Sequence, residues 1–520
     1  MVVVIAAAQL LAIGVFDVAA GRLAINDDWV YSWSVRQLAE RHGLVLFPEQ
    51  SVPALPQLLL GALAWVAHPG PTALRLETLI FGVSAAVLVA VLSRQLGAAV
   101  SWSVVAAAAL LSFPVFASVT TSFMTEPLYL DLLLLGAILG FRLLSSGQGG
   151  WVLVPVVLLG VLDRQHAVGI PAALTVVVLV GDRQRMNRRR LTVLAACWVA
   201  AGTGLMAPGL LHIATPKMAF RASSVLHPSA SLALALATYT PGLIGLLALP
   251  FGLALGRVAL TGERDPRAVI VAAAAIGLCV IAFVSTFVFP GNYLTAAGLG
   301  PITVPGTKPP LFALVLAPLK LAALAAFVAL AVAVHRRRDG PGRSSAAAFV
   351  VLLAATQAVP ILTFAISDRY FLPVLVLLLP FLARTASSVR LRNVDTVWAA
   401  VVLAAMVAVY AVGEQDYLSW QQARDQFARQ VIAAAPSATF WPGYEPYAVF
   451  EVLPGFEAGR YRGLTGANLP SSDGPLNPRL VLLITDRSDA RPGVNYSSLV
   501  PGRIVLECLQ GPCPILPAGR

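Results

Sequence analysis

Long apolar runs separated by short polar breaks make up most of the chain. Runs near the length that carries a helix across a bilayer, about 20 residues, fall at 2–20, 72–93, 99–119, 127–144, 151–162, 167–181, 191–211, 233–256, 268–289, 311–334, 345–366, 370–383 and 396–413. They predict thirteen transmembrane helices, the fifth, sixth and twelfth of them short. The runs are Leu/Val/Ala-rich and uninterrupted, which excludes a barrel of alternating segments of about ten residues. The first outer loop, 21–71, has a pattern of its own. A helix from about Trp29 to Arg41 would turn Trp29, Trp33 and Leu38 to lipid or protein and Arg36, Glu40 and Arg41 to water. Pro53 and Pro56 open a second apolar helix ending near Trp65, and both helices read as interfacial. After about 415 the pattern changes again. YLSWQQARDQFARQVIAAAPSATF is an amphipathic helix, and RLVLLITD and GRIVLECL are strands bounded by turn residues. The expectation is an all-α polytopic membrane domain over 1–414 and a small α/β domain over 415–520.

Only 12% of the residues are charged, against about 25% in soluble proteins, so a soluble enzyme is excluded. The formal charge of +11 would suggest nucleic acid if the arginines formed a patch, but they sit in short loops. With the N-terminus cytoplasmic, the even-numbered connections hold seventeen basic residues, among them Arg94, Arg142, Arg188, Arg257, Arg336 and Arg384. The odd-numbered ones hold nine, spread over far more residues. This asymmetry sets topology and removes nucleic acid as a partner. The first run lacks a positive leading segment and holds Asp17, so it reads as a span and not a signal peptide. Thirteen spans then place the C-terminal domain outside the cytoplasm. Cys197 and Cys279 lie inside spans as small core residues, whereas Cys508 and Cys513 have a spacing suited to a short disulfide.

Ionisable groups near a bilayer are costly and usually functional, which makes the acids of the membrane portion informative. On the outer side stand Asp27 and Asp28 after the first span, Glu49, Glu126 opening the fourth span, Asp163 between the fifth and sixth, and Asp368 before the twelfth. Asp27 alone could be a helix cap, but two adjacent carboxylates exceed what a cap requires. Glu126 before Pro127 suits a helix first turn without any function. Asp131, inside the fourth span, needs a partner. In VLDRQHAVGIP, Asp163 and Arg164 could neutralise each other. Arg164 beside His166 also suits an anionic phosphate, which a guanidinium binds bidentately. FAISDRYFLPVL repeats the theme with Asp368, Arg369 and Tyr370. Carboxylates and cations at one membrane surface suit sugar transfer from a lipid-linked anion: a carboxylate takes the acceptor proton and cations hold the departing phosphate.

DDWVYSWSVRQLAERHGL, SFMTEPLYLDLLLL, LDRQHAVGIP and SDRYFLPVLVLLLPF, in that order over most of 1–384, resemble the glycosyltransferase C (GT-C) superfamily. The nearest branch is the bacterial family 39-like proteins related to protein O-mannosyltransferases and lipid A aminoarabinose transferases. The C-terminal domain, with DYLSWQQARDQF and FWPGYEPYAVF, resembles the tail of uncharacterised members. The resemblance implies a GT-C-like bundle, a catalytic acid on the first outer loop, and inversion at the anomeric carbon. The acid maps onto Asp27 or Asp28, with Asp27 favoured. Glu126 falls where relatives use an acid near the donor phosphate or a metal. Arg164, His166 and Arg369 fall at donor-phosphate positions, with Tyr31, Gln165, Asp368 and Tyr370 beside the substrate. Some members of the superfamily require a divalent cation and others do not, so the resemblance leaves Mg or Mn open. The expected activity moves a sugar from a polyprenyl-phosphate donor to a hydroxyl of a glycan, lipid or protein acceptor at the outer face of a bacterial cytoplasmic membrane. The alternative is a transporter or lipid flippase, which Pro114, Pro171, Pro241, Pro318, Asp17, Asp131 and Lys320 would serve. Transporters place such groups near the midplane, whereas most of the polar groups here lie at the outer mouth.

Overall fold

The computed structural model describes residues 28–41, 43–47, 50–148, 150–181, 188–219, 230–261, 265–284, 294–295, 298–299, 310–336, 345–363, 368–434, 440–441, 480–485, 490, 492–496 and 502–508. Among them seven helices are long and apolar enough to cross a bilayer, and a bent pair makes an eighth. The protein is a multi-pass helical membrane protein. The first expected span and Asp27 lie outside the described residues.

In chain order the helices are α1 (Asp28–Arg41), α2 (Leu55–Ala67), α3 (Pro71–Gln95), α4 (Val100–Ser112), α5 (Pro114–Thr120), α6 (Glu126–Ser146), α7 (Gly150–Asp163), α8 (Gly169–Gly181), α9 (Arg188–Leu210), α10 (Ala230–Ala248), α11 (Gly252–Leu260), α12 (Pro266–Val284), α13 (Pro310–Arg336), α14 (Ser345–Thr363), α15 (Leu372–Ala386) and α16 (Asn393–Ala434). The two first-loop helices form as their sequence pattern predicts. On α1, Val30, Ser34 and Val35 are buried, while Arg36 and Glu40 pair across one exposed turn at 2.9 Å. Ala54, in the left-handed region at φ 50°, swings the chain into α2. There Leu58, Gly61 and Ala62 face inward and Leu59, Leu63 and Val66 outward.

The third expected span is broken. Pro114 fixes its own φ and bars helical geometry at Phe113, which sits extended at φ −68°, ψ 117°. The helix stops at Ser112 and restarts at Pro114, bent by 66°. The result is a buried segment rich in hydroxyls: Ser118, Thr120, Thr121, Ser122 and Thr125. Thr78 of α3 lies against it, its hydroxyl within hydrogen-bond reach of the carbonyls of Thr120 at 3.2 Å and Ser122 at 3.0 Å.

α7 and α8 are the short fifth and sixth spans. At 1.5 Å per residue, arms of 14 and 13 residues reach about 20 Å, short of the roughly 30 Å hydrocarbon thickness. Their polar connection is packed inside the protein and is not an exposed loop. Asp163 is fully buried and Arg164 is 6% exposed. The first-loop segment covers this corner, Ala54 N–H donating to Asp163 O at 3.0 Å.

The last span and the amphipathic segment after it form one unbroken helix of 42 residues, α16, so the boundary expected at 414/415 falls inside a helix. Tyr410 anchors it in the bundle by donating to Thr121 Oγ1 at 2.9 Å. Beyond it, β3 (Phe440–Trp441), β4 (Leu480–Thr485), β5 (Gly493–Tyr496) and β6 (Gly502–Cys508) make a sheet in the order β3-β4-β6-β5; β1 (Leu294–Thr295) and β2 (Gly298–Leu299) pair separately. The two strands read from sequence are β4 and β6, paired antiparallel from Leu480↔Cys508 to Thr485↔Arg503. Cys508 is disulfide-bonded; its expected partner Cys513 lies outside the described residues.

Candidate functional site

Chain direction gathers the unpaired-looking charges of the sequence at one end of the bundle. α3 and α6 start there, α7 ends there, and a 3-10 turn, Asp368–Phe371, leads from there into α15. At the centre, Arg164 Nη2 lies 2.7 Å from Glu126 Oε1, with side chains 8% and 2% exposed. Arg164 Nε donates to Thr125 Oγ1 at 3.0 Å. Arg369 Nε approaches the same Glu126 oxygen at 3.9 Å, its side chain 12% exposed. One carboxylate thus stands between two guanidiniums. Each guanidinium also faces a ring: Arg164 Cζ is 5.9 Å from the Tyr129 centroid and Arg369 Cζ 5.4 Å from that of Tyr370, distances at which cation–π attraction operates.

Local sequence explains these placements. Pro127 fits the first turn of α6, where no N–H is needed, and Glu126 beside it meets the positive end of the helix. Arg164 is extended, at φ −141°, ψ 125°, between α7 and the 3-10 turn Gln165–Val168, which aims it back at the start of α6. Next to it Asp163 is fully buried, and neither carboxylate oxygen has a hydrogen-bond partner. It lies within electrostatic reach of Arg164, Glu126 and the half-buried Glu77 of α3. Buried carboxylates without donors are costly, so this corner is polar in excess of what its own bonds satisfy.

The other expected residues sort around this centre. Tyr31 is 5% exposed and within electrostatic reach of Arg164, which brings α1 over the site. Asp28 opens α1, one turn before Tyr31. Gln165 and His166 are half-buried in the 3-10 turn, and the His166 carbonyl accepts from Gln357 Nε2 at 3.2 Å. Asp368 opens the turn that carries Arg369 and Tyr370. Asp131 does not join the cluster: it is buried on α6 and lies against Ser84.

Among the described residues no group of three His, Cys, Asp or Glu could hold a metal ion, and Glu126 is engaged by two guanidiniums. Thr125, Tyr129, Glu77 and Gln357 complete the site without having been read from sequence as its members. A signal existed for two of them: Glu77 and Gln357 are polar groups inside apolar runs, where a partner is required.

No protein-family model matches the chain, and no curated protein matches it in sequence. In structure it is similar to ArnT from Cupriavidus metallidurans, crystallised in the apo state: 12% identity, 97% of each chain covered, TM-score 0.38.

Proposed function

We propose that the protein is an inverting glycosyltransferase that moves a sugar from a polyprenyl-phosphate donor to an acceptor hydroxyl at the outer face of the cytoplasmic membrane. The observation that carries this reading is the buried Arg164–Glu126–Arg369 set beneath the helix that opens at Asp28. Two guanidiniums at one end of an apolar bundle offer a forked donor set to a lipid phosphate entering sideways from the bilayer. Arg369, with the longer and less buried contact to Glu126, is the one best placed to turn toward a ligand. Asp27 or Asp28 takes the proton of the acceptor hydroxyl as its oxygen bonds to the anomeric carbon. The bond from that carbon to the phosphate oxygen breaks, and polyprenyl phosphate leaves with the electron pair, its charge held by Arg164 and Arg369. Gln165, His166 and Tyr370, on the turns carrying these arginines, contact the donor. The acceptor is a glycan, lipid or protein, and the C-terminal domain on α16 stands outside the cytoplasm beside it.

The test is turnover. Purified protein in lipid nanodiscs is offered a panel of polyprenyl-phosphate sugars, and release of free polyprenyl phosphate is scored by mass spectrometry. Wild type is expected to release it with one donor. Asp27→Asn or Asp28→Asn should lower the rate by about two to four orders of magnitude, the usual worth of a general base. Donor binding without turnover in the presence of acceptor extracts would instead point to a flippase.

A further inference from the structure

Gln357 lies in the apolar helix α14 and is 2% exposed. Both ends of its amide are used, and on different elements. Oε1 accepts from the Tyr129 hydroxyl of α6, and Nε2 donates to the His166 carbonyl of the 3-10 turn at 3.2 Å. Reversing the amide would set its oxygen against a carbonyl, so the two partners together fix its orientation. Contact with the turn is close. A Cβ on Gly169, the residue directly after the turn, would overlap Thr356 Oγ1 and lie 2.8 Å from Gln357 Nε2. The two groups that Gln357 holds are the two that bracket Arg164. One is the backbone two residues beyond it; the other is the Tyr129 ring over which its guanidinium lies.

We propose that Gln357 is a positioning residue: by clamping the 165–169 turn to Tyr129 it fixes the Arg164 guanidinium in the orientation that receives a lipid-linked phosphate. The inference rests on the phosphate reading of the preceding section. A glutamine that only filled space would be replaceable by leucine, which is more at home in an apolar helix. A buried amide is retained at a cost unless both of its ends are bonded, and here both bonds go to the supports of one cation.

The experiment uses full-length protein in nanodiscs and bare polyprenyl phosphate as the probe, with affinity and backbone hydrogen exchange measured on the same samples. Gln357→Leu is expected to weaken binding about tenfold and to speed exchange at residues 165–169, while amides in the middle of α14 keep their protection. Gln357→Met keeps much of the side-chain volume but can make neither bond, so it should reproduce the leucine phenotype. Arg164→Gln should weaken binding on its own, and Gln357→Leu added to it should cost little more, because the second residue acts through the first. Wild-type affinity in Gln357→Leu, or losses that multiply in the double variant, would overturn the proposal. If wild type binds no polyprenyl phosphate, the phosphate reading falls by itself. Exchange then decides the remainder: unchanged protection at 165–169 in Gln357→Leu rejects the clamp, and faster exchange upholds it.

Discussion

Arg164 and Glu126 meet at 2.7 Å with side chains 8% and 2% exposed, so each is the other's principal compensation for leaving water. Removing one member of such a pair strands a buried charge, at a cost of about 3–5 kcal/mol, whereas replacing both is far milder. Arg164→Met and Glu126→Gln should each lower the thermal midpoint in nanodiscs strongly, and the double variant should recover much of the loss. Simple addition of the two losses would mean that the pair is not coupled.

Arg369 should behave differently. Its contact with Glu126 is 3.9 Å, too long for a strong bond. Arg369→Gln is therefore expected to lower stability less than Glu126→Gln does. It should still weaken polyprenyl phosphate binding about tenfold, because it removes a charge-assisted donor. Melting curves and binding isotherms on the same preparation separate the two effects. A loss of stability as large as that of Glu126→Gln, with affinity retained, would make Arg369 structural.

The apolar pattern carried the architecture a long way: α1, α2, β4 and β6 lie where alternation and turn residues place them, because each is decided by local periodicity. Three features were not legible in that pattern. The break at Pro114 follows a local rule, but its consequence, a buried row of hydroxyls, depends on how α5 packs beside Thr78. The burial of Asp163 and Arg164 depends on helix lengths and on the loop that covers them through Ala54, neither of which a four-residue polar segment reveals. For the site, Glu126 before Pro127 and the Asp163–Arg164 pair were visible but the contact between them was not. A contact between residues 38 positions apart comes from tertiary packing. Gln357, nearly two hundred positions further on, becomes a member only through its two hydrogen bonds.

At the opposite end of the bundle, Asp265 precedes α12 and accepts from the Arg267 backbone N–H at 2.9 Å and faces His335 Nε2 of α13 at 3.0 Å. These bonds, the backbone one first, hold its carboxyl below the ordinary range. A depressed folded value means stability that is present above the unfolded value, near 4, and lost as pH falls through the folded one. Asp265→Ala should therefore melt below wild type at pH 7, and the gap should close as the pH is taken below about 4. A gap that persists at low pH would assign the difference to packing.

Gly245 tests whether helix contact or polar bonding governs the rest of the bundle. A Cβ there would overlap the carbonyl of Ala323, joining α10 to α13 backbone against backbone. A side chain in the way can rotate aside, but a helix carbonyl cannot, so Gly245→Ala must push the two helices apart. Overpacking of this kind costs about 1–3 kcal/mol. Gly277 of α12 and Gly202 of α9 have nothing within 4 Å of the corresponding Cβ, so alanine there should be neutral or stabilising by up to about 1 kcal/mol, the intrinsic helix preference. Thermal unfolding of the three variants in one lipid composition checks the ordering. Equal midpoints would show that α10 and α13 can separate at no cost. A loss confined to Gly245→Ala would show that close backbone approach sets the spacing of these helices, as expected where lipid removes the hydrophobic drive for helices to associate.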